Sequence, residues 1–210
     1  MTCRLVLLAA LAFAAAPLGA TTYTFEPNYT QGVFRWDHLG FSHPSAQFSQ
    51  AQGTLNFDSA QPARSSVSVS IPLASLATGV ADLDEDFRST DFFDLPRFPA
   101  ATFKSSKVEP LEMPNHLRVT GELSLHGVTH PVVLDVSLIK VGVNPRNTLP
   151  TIGFEATATL RRSEFGLGKY IPDVGDTIRV QINSQAVEAK AYADYLKEKA
   201  AERAAAASKK

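Results

Sequence analysis

The amino-acid sequence predicts an all-β protein: a closed antiparallel β-barrel of about eight strands, with a short helical segment near one end and a C-terminal helical tail. Apolar residues recur at every second position in several short segments between residues 22 and 187, which is typical of strands with one dry and one wet face. Turn signals separate the segments, and none is much longer than ten residues. A barrel closes its own edges; a two-sheet sandwich is the alternative fold.

The N-terminal segment, residues 1–20, has the composition of a secretory signal peptide. Arg4 precedes an apolar run from Leu5 to Ala16, and the small residues that follow suit cleavage near Ala20. The run is shorter than the ~20 residues that span a bilayer, which disfavours a membrane anchor. The only cysteine, Cys3, lies ahead of the run, so the mature chain is expected to lack disulfides. We therefore expect an exported, periplasmic protein.

The mature chain is expected to carry a nearly balanced charge. The sequence has 20 Lys and Arg against 21 Asp and Glu, and removal of Arg4 with the signal leaves 19 against 21. This balance provides no electrostatic footprint for nucleic acid or for an anionic membrane surface. We expect no nucleic-acid partner and no stable membrane insertion, and the sequence leaves a homodimer open.

The predicted barrel occupies residues 21–188. Its clearest apolar faces are Val67, Val69 and Ile71; Leu117, Val119, Leu123 and Leu125; Val132, Leu134, Val136 and Leu138; Ile152, Phe154, Ala156, Ala158 and Leu160; and Ile178, Val180 and Ile182. Further strands are predicted at Tyr23–Phe25, Val33–Phe41, Thr54–Phe57 and Ala101–Val108. His126-Gly127 is placed as a two-residue hairpin turn between two alternating runs. Gly121 and Gly153 are expected at bends or bulges.

Two segments depart from the β pattern. From Asp82 to Thr90, Leu83 and Phe87 lie four residues apart behind an acidic start, which predicts a short helix able to plug one barrel end. Residues 189–210 are rich in Ala, Lys and Glu, which are strong helix formers. Since their apolar face is thin, we predict a solvated helical tail, with packing on the barrel or on a partner as the alternative.

Motifs of known chemistry do not occur in the sequence. It contains no Gly-x-Ser-x-Gly elbow, no Gly-rich phosphate loop and no His-Glu-x-x-His pair. His126 and His130 flank the predicted tight turn without a nearby Cys or carboxylate to complete a metal site. The acidic residues near Asp84 lack the glycine and terminal Glu of a calcium loop. We predict no enzyme activity, no metal and no cofactor.

Aromatic residues form the candidate ligand-binding site. A barrel of about eight strands is wide enough either to be filled by side chains or to hold one small ligand, and the sequence leaves both open. The candidate lining residues are Phe34, Trp36, His38, Phe48, Phe57, Phe92, Phe93, Phe103, Phe154 and Phe165. The candidate polar groups at the mouth of such a lumen are His38, Arg161, Arg162, Ser163 and Lys169.

Several blocks between Tyr23 and Val187 match one known family. They are Trp36-Asp37-His38-Leu39-Gly40-Phe41-Ser42, Gly53-Thr54-Leu55, Asp91-Phe92-Phe93-Asp94, Phe98-Pro99, Thr102-Phe103-Lys104-Ser105, Gly121-Glu122-Leu123-Ser124-Leu125-His126-Gly127-Val128-Thr129 with Pro131-Val132, and Arg162-Ser163-Glu164-Phe165-Gly166-Leu167-Gly168. The chain thereby resembles the YceI family of periplasmic, lipocalin-like barrels that bind polyisoprenoids. The resemblance implies an extended barrel whose long lumen holds a prenyl phosphate or an isoprenoid quinone, and it brings no catalytic residues.

The sequence and the resemblance together predict periplasmic binding, carriage or storage of a polyisoprenoid lipid without catalysis. The lipid tail is expected to dominate affinity, because burial contributes ~0.8 kcal/mol per CH2. Two alternatives stand beside this prediction. One is an enzyme that acts on a small lipid in the same cavity with His38 as base. The other is a ligand-free barrel that serves as a stress or interaction module and docks a partner through its tail.

Overall fold

The structure, a computed structural model, describes residues 19–208. The predicted signal peptide lies almost wholly outside the described residues. The strands are β1 (Thr21–Phe25), β2 (Gln31–Arg35), β3 (Ser45–Phe48), β4 (Gln52–Phe57), β5 (Ser66–Pro72), β6 (Ala100–Pro110), β7 (His116–Leu125), β8 (Val128–Val143), β9 (Pro150–Arg161) and β10 (Thr177–Glu188). The α-helices are α1 (Ala81–Arg88) and α2 (Ala189–Ala207), and short 3-10 turns occur at Pro27–Tyr29, Pro62–Arg64, Leu73–Ser75 and Arg162–Phe165.

Eight strands form a closed antiparallel ring, which confirms the predicted barrel. Their order is β1-β4-β5-β6-β7-β8-β9-β10, and pairing of β10 with β1 closes the ring. Two extra strands extend the wall: β2 lies beyond β1 along β10, and β3 pairs with β2. Phe25 of β1 is opposite Ala186 and Phe34 of β2 is opposite Val180, so β1 and β2 act as one interrupted strand.

The N-terminal strands differ from those predicted. The expected strand Val33–Phe41 is wrong in its second half, because β2 ends at Arg35 and a turn follows in which the His38 amide donates to the Ser42 carbonyl at 2.9 Å. Leu39 and Gly40 adopt φ values of 58° and 70°, which no strand can accommodate. The sequence also missed the four-residue strand β3, and β8 spans 16 residues, more than the ten expected.

Gly121 and Gly153 both face bulges, as predicted. The register of β6 shifts between Ser105 and Lys107 opposite Gly121, and that of β8 shifts between Leu138 and Lys140 opposite Gly153. A Cβ on Gly121 would lie 2.5 Å from the Phe103 ring and 2.5 Å from the Lys104 carbonyl oxygen. Glycine at this position therefore lets the Phe103 ring lie close against β7 where the barrel wall bends.

The predicted hairpin at His126-Gly127 is confirmed. The two residues connect β7 to β8 with φ values of 53° and 76°, and positive φ at both central positions defines the type I′ turn that suits strand twist. The His126 ring nitrogen Nδ1 lies 3.1 Å from the Phe165 carbonyl oxygen. This histidine therefore ties the hairpin to the 3-10 turn after β9.

The predicted helices occupy opposite ends of the barrel. Helix α1 places Phe87 against Phe34 and Trp36 at one end, with ring-centroid distances of 6.0 and 5.4 Å. Helix α2 continues from β10 at the other end, where the Glu188 carboxylate accepts from the amides of residues 190 and 191. No helix within residues 19–208 has the length and hydropathy needed to cross a membrane.

Helix α2 packs on the barrel only through its first turns. The Tyr192 hydroxyl donates to the Glu26 carboxylate between β1 and β2. Burial, together with this hydrogen bond, raises the pKa of Tyr192 to about 12. The residues from 200 to 208 are exposed. The prediction of a solvated helix is therefore right for the C-terminal part of α2. The alternative, packing on the barrel, is right for its first turns.

Candidate ligand-binding cavity

A cavity of about 630 Å³ extends along the interior of the barrel. This volume falls within the roughly 300–1,000 Å³ of sites that bind small molecules. The inward-facing residues of β4 to β10 line the cavity, from Phe57 and Val108 near α2 to Leu160 and Ile178 near α1. The rings and aliphatic side chains therefore line a lumen in addition to forming a core.

The period-two alternation places the lining side chains. On β9, Phe154, Ala156, Ala158 and Leu160 face the lumen, while the residues between them face away. The small side chains of Ala156 and Ala158 leave space beside the Phe154 ring, whose centroid lies 6.2 Å from that of Phe25 on β1. The lumen is thus apolar along most of its length and wide at the middle of β9.

All the predicted aromatic residues lie on the cavity wall, together with His38 and Arg162. They are Phe34, Trp36, Phe48, Phe57, Phe92, Phe93, Phe103, Phe154 and Phe165. Arg161 does not lie there, because the alternation that turns Leu160 and Arg162 inward turns Arg161 outward. Its Nε donates to Asp176 Oδ2 at 3.0 Å on the exterior. That each of these lining residues contacts a bound ligand stays a prediction.

The other two predicted mouth groups also lie outside the lining. Ser163 donates from its backbone amide and its hydroxyl to the Asp176 carboxylate at 2.9 and 2.8 Å. Lys169 forms an ion pair with Asp91. Burial alone would raise the pKa of Asp176, but the hydrogen bonds from Ser163 and Arg161 outweigh it and hold that pKa below its ordinary value. These groups hold loops together at the barrel end.

Phe87 lies at the centre of an aromatic cluster at the α1 end of the cavity. Its ring contacts those of Phe34, Trp36, Phe92 and Phe93 at centroid distances of 5.4–6.0 Å. Phe87 is not among the aromatic residues predicted to line the lumen, although its spacing from Leu83 places both on the apolar stripe of the predicted plugging helix. The apolar stripe could have identified Phe87 as a lining residue, because a helix that plugs the barrel must place its apolar side chains against the lumen.

Arg162 supplies the only charged guanidinium among the lining residues in the described part of the chain. It is 9% exposed and donates to three backbone carbonyls: Gly175 at 2.9 Å, Val174 at 2.7 Å and Leu167. Burial lowers its pKa, and the charge of Asp176 opposes that effect, yet a guanidinium stays protonated in proteins. No ion pair engages Arg162 within residues 19–208, and a guanidinium has five N–H donors. It can therefore offer charge and further donors to a polar group in the lumen.

A second polar spot lies on the wall where β1 gives way to β2. The hydroxyls of Thr30 and Ser184 are both buried and lie 2.9 Å apart, and the Thr30 hydroxyl also reaches the Gln185 carbonyl at 3.3 Å. Because the two hydroxyls form a hydrogen bond with each other, they can be buried in an apolar part of the wall without an unpaired polar group.

The lining residues that are themselves exposed show where the cavity opens. His38, Asp86 and Tyr170 are exposed at one end, between the 38–42 turn, α1 and the 168–176 loop. We call this opening the mouth. The other exposed lining residues, Gln31 at the start of β2 and Ser66 at the start of β5, lie away from this end. The mouth lies at the same end of the barrel as Arg162 and the aromatic cluster.

The enzyme alternative depends on His38, which lies at the mouth of the cavity. If His38 acted as a base, another group would have to orient its imidazole ring. No side chain within residues 19–208 forms a hydrogen bond with that ring. In the same residues no three His, Cys, Asp or Glu side chains are grouped so as to hold a metal ion. The arrangement is an apolar lumen with one buried guanidinium, that of Arg162, near its mouth.

Comparison with known proteins agrees with this architecture. The chain matches the YceI-like domain over residues 23–186. Protein YceI of Escherichia coli O157:H7 is 32% identical over 184 residues, which cover 87% of this chain and 95% of that protein. The crystal structure of Burkholderia cenocepacia BcnA superimposes with a TM-score of 0.69 at 23% identity, covering 77% of this chain and 98% of that one.

A second solved structure shares the fold at lower sequence identity. It is a polyisoprenoid binding domain from Saccharophagus degradans implicated in plant cell wall breakdown. It superimposes with a TM-score of 0.58 at 15% identity, covering 80% of this chain and 99% of that one. The match over residues 23–186 takes in all but the first two and the last two residues of the closed barrel, together with the mouth and Arg162. This chain is therefore a member of the YceI-like family.

Proposed function

We propose that this protein binds a polyisoprenoid-type amphiphile, a prenyl phosphate or an isoprenoid quinone, in the barrel lumen and carries or stores it without chemical change. The observation that carries the proposal is the continuous apolar cavity of about 630 Å³ with one buried guanidinium near its mouth. A neighbour in fold is a polyisoprenoid binding domain, which supports the same class of ligand.

The energetics favour a ligand with a long apolar tail. Each CH2 that leaves water for the lumen contributes ~0.8 kcal/mol, and the costs of ordering and association reduce the total sharply. Arg162 would then select among head groups, since a guanidinium favours a phosphate more strongly than a neutral quinone carbonyl. Affinity thus comes mainly from the tail, and preference for one head group comes from the mouth end.

The proposed compartment is the periplasm. The supporting observations lie in the sequence: Arg4, the apolar run from Leu5 to Ala16 and the small residues before position 21 have the order of a cleavable export signal. A carrier in an aqueous compartment between membranes would shield the apolar tail from water. Cell fractionation, with the N-terminus of the exported chain sequenced, tests both the location and cleavage near Ala20.

The lumen assignment is tested with Phe154→Asp. The Phe154 side chain lines the middle of the cavity, so a carboxylate there must lose hydration to admit an apolar tail, and we expect lipid loading to be abolished. Thr157→Asp is the matched control, because Thr157 is exposed on the outer face of the same strand. Native mass spectrometry of each exported protein, followed by solvent extraction, measures the bound lipid.

We expect wild type and Thr157→Asp to carry a stoichiometric adduct whose fragments form a prenyl series, and Phe154→Asp to be empty. Circular dichroism and the unfolding midpoint establish that each variant is folded. Equal loading of a folded Phe154→Asp variant would contradict the lumen assignment. A wild-type protein that is empty and takes up no added polyprenyl phosphate or quinone would contradict the proposed function as a whole.

A further inference from the structure

The mouth is bordered by apolar side chains that face solvent. Phe41 is 90% exposed, and Leu39 beside it is 51% exposed. Tyr170 and Ile171, on the 168–176 loop, are 56% and 39% exposed. We call these four residues the apolar rim. Single exposed apolar residues are ordinary, but apolar residues grouped on adjoining loops around a cavity mark a site of interaction.

The two loops of the apolar rim are joined into one surface. The Leu39 amide donates to the Asp173 carbonyl at 2.9 Å, and the Gly175 amide donates to the Asp37 carbonyl at 2.9 Å. His38 also forms a β-bridge with Val174. The 38–42 turn is itself closed by the bond from the His38 amide to the Ser42 carbonyl. The rim is therefore held in place by backbone hydrogen bonds.

Two of the rim residues have an unfavourable backbone conformation. Leu39 has a φ of 58° and Tyr170 a φ of 65°, in the left-handed region that bulky residues rarely adopt. Asn, Asp or Gly would suit both positions better. Such conformations persist where the surrounding structure enforces them, and they are concentrated at functional sites. Here the chain keeps large apolar side chains at exposed positions where a small polar residue would be more stable.

We propose that the apolar rim inserts into the surface of a lipid bilayer, so that the amphiphile passes between the bilayer and the lumen through the mouth. This inference rests on the proposed function. The basis is that the rim is continuous with the cavity wall. His38 and Tyr170 line the cavity, and Tyr170 is also part of the rim. Leu39 and Phe41 lie in the same turn as His38, and Ile171 follows Tyr170. Aromatic and aliphatic side chains in this arrangement suit the boundary between head groups and acyl chains.

The charges around the mouth indicate which bilayers it should bind. Lys169 is paired with Asp91, and the ring of His43 lies 3.6 Å from Asp37. The neighbouring helix α1 is acidic in its first turn. Since Lys169 is paired and acids begin α1, we expect attraction to anionic lipids to contribute little to docking. The rim should therefore bind neutral bilayers through apolar insertion, with little dependence on salt.

A second set of exposed apolar residues provides a matched control. Met113, in the β6–β7 turn, and Ile139, on β8, are 61% and 64% exposed. They are close together, since the Leu138 amide donates to the Asn115 carbonyl at 2.8 Å. They lie at the α2 end of the barrel and do not line the cavity. The same change of charge and hydropathy can therefore be made away from the mouth.

The test compares the double variant Leu39→Asp/Phe41→Asp with the control Met113→Asp/Ile139→Asp. Flotation with vesicles of phosphatidylcholine alone, at low and high salt, measures bilayer binding. We expect wild type and control to float and the rim variant to partition roughly tenfold more weakly or worse, since apolar insertion is lost. Transfer of a fluorescent polyprenyl phosphate between vesicles should slow by a similar factor. Loading of the same probe from detergent should be equal in all three proteins.

Loading from detergent separates this inference from the proposed function. If wild type loads from detergent but does not bind the vesicles, bilayer docking is overturned while the carrier function stands. If the rim variant floats as well as wild type, the rim is not the docking surface. If light scattering shows a wild-type dimer that the rim variant breaks, and no flotation, the rim is a contact between copies. Loss of flotation in the rim variant alone, with detergent loading intact, supports the inference.

Discussion

The two ends of the barrel are built in different ways. At the α2 end the ladder of backbone hydrogen bonds continues to the last residues, with Tyr23 opposite Glu188 and Ile152 opposite Ala186. At the mouth, loops follow the strands, and side-chain hydrogen bonds add to the few backbone bonds that order these loops. Arg162 donates to three loop carbonyls, and the Asp176 carboxylate accepts from Ser163 and Arg161.

The difference shows where this barrel can open. A ladder distributes stability over many equivalent bonds, so removing one side chain changes little. Loops joined by a few backbone and side-chain bonds have lower local stability than a ladder and can rearrange separately from the strands. The mouth therefore combines a buried guanidinium with loops that can rearrange, while the continuous ladder keeps the strands paired at the α2 end. Substitutions at the mouth should therefore change the free energy of unfolding more than substitutions at the α2 end.

The largest effect is expected from Arg162→Met. The change keeps an unbranched apolar stem but removes the guanidinium, which leaves the carbonyls of residues 167, 174 and 175 without their donor. We expect a loss of about 3 kcal/mol in the free energy of unfolding, measured by urea denaturation. Arg161→Met is the matched control: it removes an exposed ion pair and should cost less than about 1 kcal/mol. Equal losses at the two positions would contradict the view that Arg162 holds the mouth.

A smaller, pH-dependent effect is expected from Asp176→Asn. A carboxyl whose folded pKa lies below its unfolded value of about 3.9 stabilises the fold above that pH, and loses the contribution as the pH falls through the folded pKa. Asp176 is such a group, so the variant should be less stable than wild type by about 1–2 kcal/mol at neutral pH. The difference should shrink below pH ~4. Urea denaturation across this range measures it, and a constant difference would show that the carboxylate's charge is not responsible.

The long strands were predictable from sequence, whereas the short strand β3 was missed and β2 was predicted too long. Strands β7 to β10 carry ten to sixteen residues each, long enough for period-two alternation to be unmistakable. Strand β3 has four residues, and β2 stops at Arg35. So short a segment contains too few alternations to separate a strand from a turn. Their pairing is fixed by β10, which lies far away in sequence.

The apolar residues that line the cavity were predictable, although the sequence left open whether side chains fill the barrel. Rings at inward positions of an alternating strand must face the lumen, which is why Phe103, Phe154 and Phe34 lie where the sequence placed them. The polar groups were harder, because Arg161 and Arg162 are neighbours at the end of a strand. Only the register of β9 decides which one turns inward, and a shift of one residue exchanges their faces.

The smallest effect is expected at the α2 end, from Tyr192→Phe. The Tyr192 pKa is raised to about 12 by burial and by the bond to Glu26, so the neutral hydroxyl stabilises the fold fully below the unfolded pKa of about 10. This contribution is lost as the pH rises through about 12. The variant should therefore lose no more than about 1 kcal/mol at neutral pH, measured by urea denaturation.

Tyr195→Phe, which changes another hydroxyl of α2, is the matched control and should leave stability unchanged. In wild type the helical circular dichroism signal should begin to fall only as the pH approaches about 12, because ionised Tyr192 repels the Glu26 carboxylate. Tyr192→Phe should lack this alkaline step. A Tyr192→Phe loss as large as that of Arg162→Met would contradict the comparison, since a barrel end held by its ladder should tolerate the removal of one hydroxyl.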